Sequence, residues 1–396
     1  MNVQLNDSGV PILRQKTFAQ KVKSFLLWTI LVILTLAAAL LVYLCIAGAS
    51  EMAALTTLKK VSDHPYYTME YDNFDYSDLI TEECDSNDAI IQFYKNKFFK
   101  GVSGAFPGGY ENDYVTKGSY AFCSRTSTYS HVRGRVFNSY DSPILMVIAK
   151  PENGYKSWNL IDMADVGLLS GQSIDQWYNN AFQTIAATYC VSEGINSEFF
   201  GVSLISCPVA ECDETSKVNV TPFLACRLLL DRVATVDSAI DLLKDYDIDF
   251  SCGAYHFFIS DKEGECAIVE YIDGKMSVTR RESDDVFHLV CTNKMENQTV
   301  RSAEKDYSNR YKELSVYSDF ERTLSSQYKN GLGVDRTYAF LMLNDSAQDM
   351  KATEEDHFGT NMYGTQYTVT YQQDKMQMRV VIENDRETQM FDYGLS

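Results

Sequence analysis

Hydrophobic positions divide the chain into one uninterrupted apolar run and a long region of short alternating and helical patterns. The apolar run spans residues 25–49, FLLWTILVILTLAAALLVYLCIAGA, and contains no charged residue. A helix of this length crosses a hydrocarbon core of about 30 Å, so we expect a transmembrane helix. A cleavable signal peptide is the alternative, because Ala47-Gly48-Ala49 offers small residues at a cleavage site. The run is longer than the apolar core of about 7–15 residues found in most signal peptides.

The charges before the apolar run predict its orientation. Arg14, Lys16, Lys21 and Lys23 precede it, against the single acidic residue Asp7. The positive-inside rule then places residues 1–24 in the cytoplasm as a tail. Everything after residue 49 would face outwards, so we expect a single-pass protein of the cell membrane with an extracytoplasmic domain.

Residues 50–122 begin as a polar, mixed-charge stretch and end in a segment rich in glycine, GVSGAFPGGYENDYVTKGSY. Glycine and proline at this density are typical of loops. Apolar residues at helical spacing predict one short helix over residues 88–99. We interpret residues 50–122 as a linker or prosegment.

From residue 123 onwards, short runs rich in β-branched and aromatic residues alternate with helical patterns, which predicts an α+β architecture of two antiparallel sheets with helices outside. The predicted helices span residues 173–187, 222–246 and 309–328, with Thr235 as an N-cap. A terminal hairpin is predicted around residues 372–374. The strand-like runs are SRTSTYS, HVRGRVF, ILMVIAK, KSWNLIDM, AYHFFISD, GECAIVEYI, KMSVTRRE and VFHLVCTN.

Composition and charge restrict the function. The formal net charge is −19 and the pI about 4.7, so the surface repels phosphate backbones and nucleic acid is not expected as a partner. The ten cysteines show no spacing typical of a zinc site, and we expect neither a metal nor a cofactor. A disulfide between Cys207 and Cys212 is an open alternative to two buried thiols.

Seven segments, in order, resemble successive blocks of the choloylglycine-hydrolase family of linear amide C–N hydrolases. They cover nearly all of residues 123–396 and read GRVFNSYDSPILMVIAKPENGYKSWNLIDM, EGINSEFFGVSL, TVDSAIDLLKDYDI, AIVEYIDGKM, LVCTN, KDYSNRY and TQYTVTY. The resemblance implies an N-terminal-nucleophile fold, a four-layer αββα sandwich. In this fold the first residue after processing is a cysteine at the end of a central strand.

By this resemblance Cys123, in FCSRT, is the nucleophile. Cleavage of the Phe122–Cys123 bond would give it a free α-amine with a pKa near about 7.7–8.0, which serves as the base without a histidine. The resemblance also makes Arg135 the cation beside the nucleophile. The spacing between the two residues is about four residues shorter than in the family. A hairpin with two residues fewer in each strand would explain the difference and keep each side chain on the same face.

The resemblance further assigns Asn196 and Asn293 to the oxyanion site and Arg310 to the last arginine of the active site. The family has an aspartate where this chain has Asn138, three residues after Arg135. An asparagine can orient the α-amine but supplies no negative charge.

These residues predict an extracytoplasmic amidase that acts on a small-molecule amide through a Cys123 thioester. Relatives handle conjugated bile acids, N-acyl amines, acyl-homoserine lactones and penicillin V, so the sequence leaves the substrate open. The alternative is a surface protein that keeps the fold, has lost the chemistry and binds a ligand. A papain-like Cys/His peptidase is disfavoured, because no histidine block accompanies a cysteine block. The oligomeric state does not follow from the sequence.

Overall fold

The computed structural model describes residues 17–81, 84, 86–98, 119–126, 130–169, 174, 177–281, 288–292, 295–296, 311–347, 351–352, 362–375, 377–382 and 389–394. The chain divides into two units, Met1–Ala49 and Ser50–Ser396. The first unit contains helix α1, Phe18–Ala47, in which the segment Phe18–Ala39 has a mean hydropathy of 2.1. This helix is long and apolar enough to cross a membrane, and a signal sequence near the N-terminus would meet the same criteria.

The second unit is built from strands and helices that the sequence pattern largely predicts. The remaining helices are α2 (Ala49–Thr57), α3 (Ser77–Thr81), α4 (Asn87–Phe98), α5 (Trp177–Ala187), α6 (Pro222–Arg232), α7 (Val236–Leu243), α8 (Tyr311–Lys329) and α9 (Arg336–Ser346). The strands are β1 (Lys59–Lys60), β2 (Tyr66–Phe74), β3 (Ser119–Arg125), β4 (His131–Tyr140), β5 (Ile144–Pro151), β6 (Ser157–Asp162), β7 (Glu193–Asn196), β8 (Gly201–Ser206), β9 (Val218–Val220), β10 (Tyr246–Ile248), β11 (Tyr255–Ser260), β12 (Cys266–Ile272), β13 (Lys275–Arg280), β14 (His288–Cys291), β15 (Lys351–Ala352), β16 (Met362–Gln372), β17 (Gln377–Ile382) and β18 (Gln389–Gly394).

Most of the strands belong to two large sheets. The first sheet has nine strands in the order β1-β2-β5-β6-β7-β8-β11-β12-β13, and all its neighbours are antiparallel except β2 and β5. The second sheet has seven strands, in the order β14-β3-β4-β16-β17-β18, with β15 paired to β16. Strand β3 therefore lies inside the second sheet, between β14 and β4. Strands β9 and β10 form a small parallel pair.

Alternation along β3 shows how the layers are stacked. Tyr120 and Phe122 face outwards and pack in one cluster with Phe320 of α8 and with α9. Ala121 and Cys123 face the opposite way and pack in a second cluster with residues of β8, β11 and β12. Because successive side chains of a strand point to opposite faces, β3 contacts helices on one side and the first sheet on the other.

The outer face of the first sheet is covered by helices α4–α7, which share its largest hydrophobic cluster. The order of layers is thus helix, sheet, sheet, helix, which confirms the predicted αββα sandwich and the α+β class. The predicted helix over residues 222–246 is two helices, α6 and α7. The break falls before Thr235, whose side chain caps α7 in a capping box with Ser238.

The segment before β3 also contributes to the second unit. Strand β2 pairs in parallel with β5 over Tyr66–Phe74, and α4 packs on the first sheet. Residues 50–98, interpreted from the sequence as linker or prosegment, thus include a strand in the interior of the nine-stranded sheet. The terminal hairpin β16–β17 is confirmed, and the sequence pattern did not reveal β18 beside it.

Candidate active site between the two sheets

Two arginines of β4 lie buried between the sheets. The β4 sequence HVRGRVFNSY places Arg133, Arg135 and Phe137 on the face that points to the first sheet, because the strand repeats every two residues. Gly134 lies between the arginines on the helix side, where an added Cβ would meet Leu343 Cδ1 at 2.7 Å. The close approach of α9 therefore explains the glycine in this Arg-Gly-Arg sequence.

Glu193 of β7 is the counter-charge of both arginines. Its Oε2 accepts a hydrogen bond from Arg135 Nη1 at 3.1 Å and another from Ser203 Oγ, and its Oε1 lies 3.5 Å from Arg133 Nη2. All three charged side chains are almost completely buried. Two cations and one anion give these three side chains an excess of one positive charge. We call Arg133, Arg135 and Glu193 the charged cluster.

Arg135 also contacts the beginning of β3. Its Nη2 donates to Ser119 Oγ at 3.3 Å and to Leu204 O at 2.6 Å, and its Nη1 donates to Ser192 O at 2.7 Å. Ser119 is the first residue of β3, is only 1% exposed, and pairs with Phe137 of β4. The structure thus brings Arg135 to Ser119.

Arg133 has unused hydrogen-bonding capacity. Its Nη2 donates to Ser203 Oγ and, at 3.4 Å, to Phe258 O, and its guanidinium lies over the ring of Tyr371. Arg133 Nε and Nη1 and Arg135 Nε have no hydrogen-bond partner among the described residues. Buried donors without acceptors are rare, and such donors stabilise negative charge that develops next to them.

Cys123, predicted as the nucleophile, lies in the middle of β3. It pairs with Arg133 on one side and with Leu289 of β14 on the other, and a disulfide joins it to Cys266 of β12. The disulfide ties the two sheets together. Cys207 and Cys212, considered as a disulfide from the sequence, are reduced thiols in the structure.

Asn138 lies on β4 immediately after Phe137, the partner of Ser119. Its Nδ2 donates to Tyr120 Oη at 3.1 Å, and its Oδ1 accepts from Thr365 Oγ1 at 2.7 Å. The side chain is completely buried. Asn138 is therefore near the start of β3, on the face opposite to that of Arg135.

Asn196 uses all of its hydrogen-bonding capacity for the backbone. Its Nδ2 donates to Leu230 O and Val233 O, at 2.9 and 2.8 Å, and its Oδ1 accepts from the backbone N–H groups of Glu198 and Phe200, both at 3.0 Å. An amide side chain has two donors and two acceptor sites, so none remains for an oxyanion in this arrangement.

Asn293 and Arg310, the remaining residues predicted for the site, lie outside the described residues. The structure therefore brings Arg135, Asn138 and the start of β3 together and places Asn196 at the end of β7. Sequence reasoning missed two members of the site, Ser119 and Glu193. The four-residue shortfall in spacing between Cys123 and Arg135 is the sequence signal from which Ser119 could have been found.

A second buried group lies at the other edge of the same interior. His256 Nδ1 is 3.9 Å from Cys291 Sγ, and His256 Nε2 is 3.7 Å from Glu270 Oε1. Burial lowers the pKa of His256 to about 3 and raises the pKa of Cys291 well above its ordinary value. Both groups are therefore neutral near pH 7, and they do not form a thiolate–imidazolium pair. Among the residues that the structure describes, no group of three His, Cys, Asp or Glu is arranged to hold a metal ion.

Several known proteins are similar to this chain. A family model described as acyl-coenzyme A:6-aminopenicillanic acid acyl-transferase matches residues 206–387. No curated protein matches the sequence significantly. A mutant of the conjugated bile acid hydrolase from Clostridium perfringens is 15% identical, covers 70% of this chain and 93% of its own, and superposes with a TM-score of 0.51. Penicillin V acylase from Agrobacterium tumefaciens is 13% identical over 70% of this chain and 86% of its own, with a TM-score of 0.45.

Proposed function

We propose that the chain belongs to the penicillin acylase and choloylglycine hydrolase family of N-terminal-nucleophile hydrolases and that it is an enzyme that hydrolyses a linear amide C–N bond of a small molecule. Acyl transfer requires a nucleophile and donors directed at the developing oxyanion. The observation that carries the proposal is the charged cluster, which lies against the nucleophile-bearing strand β3 and retains unpaired donors.

Strand β3 offers two nucleophilic side chains that face the first sheet, Ser119 and Cys123. The thioester mechanism expected from the sequence uses Cys123 and requires its reduced thiol, because the disulfide to Cys266 blocks the sulfur. The proposed amidase activity does not depend on which of the two residues attacks.

The proposal is tested with full-length protein purified in detergent. The substrates are a conjugated bile acid, an N-acyl amine, an N-acyl-homoserine lactone and penicillin V, and the released amine is measured. We expect hydrolysis of at least one amide by the wild type and none by the double variant Ser119→Ala/Cys123→Ala. The variant Ser124→Ala, on the same strand, serves as the matched control and should keep full activity. Equal turnover by the wild type and the double variant would refute a nucleophile on β3.

We further propose that α1 anchors the protein in the cell membrane with the catalytic unit outside. The four basic residues before the apolar run support this orientation. The disulfide between Cys123 and Cys266 also supports it, because disulfides persist in oxidising compartments outside the cytosol. Protease treatment of intact cells should degrade a C-terminal tag and spare an N-terminal tag. The reverse pattern would contradict the orientation, and a mature chain without α1 would identify a cleaved signal peptide.

The alternative function, a binding protein that has lost catalysis, is favoured by one observation at the site. Asn138 supplies a neutral amide where the family has a carboxylate, so it cannot stabilise a charged α-amine through an ion pair. Substitution Asn138→Asp distinguishes the two functions. Hydrolysis gained only by Asn138→Asp would identify a decayed enzyme, whereas hydrolysis by the wild type would exclude this alternative.

A further inference from the structure

We propose that Ser119, and not Cys123, is the nucleophile of this protein, and that self-cleavage of the peptide bond before Ser119 makes it N-terminal. This inference rests on the proposed function and assigns its attacking residue. Three observations carry it: the position of Ser119 on β3, its contact with Arg135, and the surroundings of Cys123.

The first observation is position along the strand. Ser119 is the first residue of β3, whereas Cys123 is preceded by four residues of the same strand. Within that stretch Ala121 and Phe122 pair with β4 on one side and with β14 on the other. A cut before Cys123 would break the strand in the middle of the sheet and release completely buried side chains. A cut before Ser119 leaves intact every strand pair that is described for β3.

The second observation is the contact with the cation. Arg135 Nη2 lies 3.3 Å from Ser119 Oγ and donates to it. A guanidinium in this position stabilises negative charge that develops on the hydroxyl oxygen as it loses its proton. Cys123 instead lies opposite Arg133 in the ladder. Ser119 is four residues before Cys123, which equals the shortfall in spacing to Arg135 noted from the sequence.

The third observation is that Cys123 already has a covalent partner. Its sulfur is bonded to Cys266, and it packs in an apolar cluster with Ile205 and Phe258. A disulfide sulfur is neither a thiolate nor a base-activated thiol, so it cannot attack a carbonyl carbon. The Cys123 side chain therefore holds the sheets together.

The proposed chemistry is an N-to-O acyl shift followed by hydrolysis. Ser119 Oγ attacks the carbonyl carbon of the preceding residue, the C–N bond breaks, and the nitrogen of Ser119 takes up the hydroxyl proton. Water hydrolyses the resulting ester, which leaves a carboxylate on the upstream chain and a free α-amine on Ser119. In turnover this α-amine, with a pKa near about 7.7–8.0, accepts the proton of Oγ during attack on the substrate. It then passes the proton to the leaving amine, and water hydrolyses the acyl ester.

The test uses full-length protein isolated from membranes as wild type, Ser119→Ala, Ser119→Cys, Cys123→Ala and the matched control Ser124→Ala. Intact mass and N-terminal sequencing locate the cut, and amine release measures turnover. We expect the wild type, Cys123→Ala and Ser124→Ala to contain a chain that begins Ser-Tyr-Ala-Phe. The variant Ser119→Ala should remain uncut and lose turnover by at least 1000-fold. The variant Ser119→Cys should still be cut, because a thiol can perform the same attack, and its cleavage shows that substitutions here permit folding.

Three results would overturn the inference: a new N-terminus at Cys123, cleavage of Ser119→Ala as in the wild type, or a wild type that is never cut. A further result separates the inference from the proposed function. If the wild type is cut before Ser119 but hydrolyses no amide of the panel, self-cleavage by Ser119 stands and the proposed amidase function fails. If Cys123→Ala loses turnover while Ser119→Ala keeps it, the amidase function stands and the nucleophile assignment fails.

Discussion

The charged cluster makes a quantitative prediction about Glu193. Substitution Glu193→Gln keeps the shape of the side chain and removes the only negative charge of the cluster, which leaves two buried cations without a counter-charge. Breaking a buried ion pair by neutralising one partner costs about 3–5 kcal/mol. This is a large fraction of the free energy of unfolding of a typical domain, about 5–15 kcal/mol. We therefore expect Glu193→Gln to lower the free energy of unfolding by about 3–5 kcal/mol.

The charge count also predicts an order among variants. Arg133→Met leaves one cation and one anion, so its electrostatic cost should be smaller than that of Glu193→Gln. Glu198→Gln is the matched control, because the Glu198 side chain is 40% exposed and its carboxylate lies 4.0 Å from Lys262 Nζ. An exposed pair of this kind contributes about 0–1 kcal/mol.

The assay is urea unfolding of the full-length protein in detergent, followed by tryptophan fluorescence, with free energies from linear extrapolation. The predicted order of destabilisation is Glu193→Gln, then Arg133→Met, then Glu198→Gln. A value for Glu193→Gln within 1 kcal/mol of the control would refute the argument, as would a larger loss for Arg133→Met than for Glu193→Gln.

Three further predictions concern stability. Burial lowers the pKa of His256 to about 3 in the folded state, against 6.5 in the unfolded state, so the unfolded state binds more protons between these pH values. The free energy of unfolding should therefore fall as the pH decreases through this window, by about 5 kcal/mol at most. The variant His256→Leu should lack this pH dependence, and identical pH profiles of the wild type and the variant would contradict the prediction. The Cys123–Cys266 disulfide closes a loop with a sequence separation of 143, so its reduction should lower the free energy of unfolding by about 2–5 kcal/mol. Unfolding is measured with and without dithiothreitol, and the free energy of unfolding of the control variant Cys266→Ser should not change when dithiothreitol is added. Asn196→Ala should cost at least about 2 kcal/mol because it leaves buried backbone groups without partners; lost turnover with unchanged stability would instead support the oxyanion role expected from the sequence.

The fold could be predicted from the sequence where local patterns decide the structure. The strand-like runs after residue 130 form strands at the expected places, and Thr235 caps α7 because its hydroxyl accepts from the N–H of Ser238. The family resemblance then predicted the order of the sheet and helix layers, which the periodicity of hydrophobic residues alone does not predict. The pairing of β2 with β5 was not predictable in this way, because a parallel partner some 78 residues away leaves no local signal.

The site was only partly predictable for a related reason. Sequence reasoning selected Cys123 by residue type, since thiols are the usual nucleophiles of the family that the chain resembles. Ser119 and Cys123 lie on the same face of β3, and the structure shows that Arg135 contacts Ser119, the first residue of the strand. Glu193 was missed because it is distant in sequence from both arginines. Only the approach of the two sheets brings its carboxylate to them.

The position of β2 determines what a cut before Ser119 would produce. The upstream fragment would keep α1 and would also keep β2, which is hydrogen-bonded to β5 along Tyr66–Phe74. Tyr66, Tyr67, Met69 and Tyr71 are at most 1% exposed, and burial of each such side chain contributes about 1.5–3 kcal/mol, or about 6–12 kcal/mol together. The two fragments should therefore remain associated, so cleavage would not separate the Ser119 fragment from the fragment that carries α1. Carbonate washing of membranes should leave both fragments in the pellet, and they should separate only in denaturing gels. Recovery of the Ser119 fragment in the supernatant would show that β2 does not hold it.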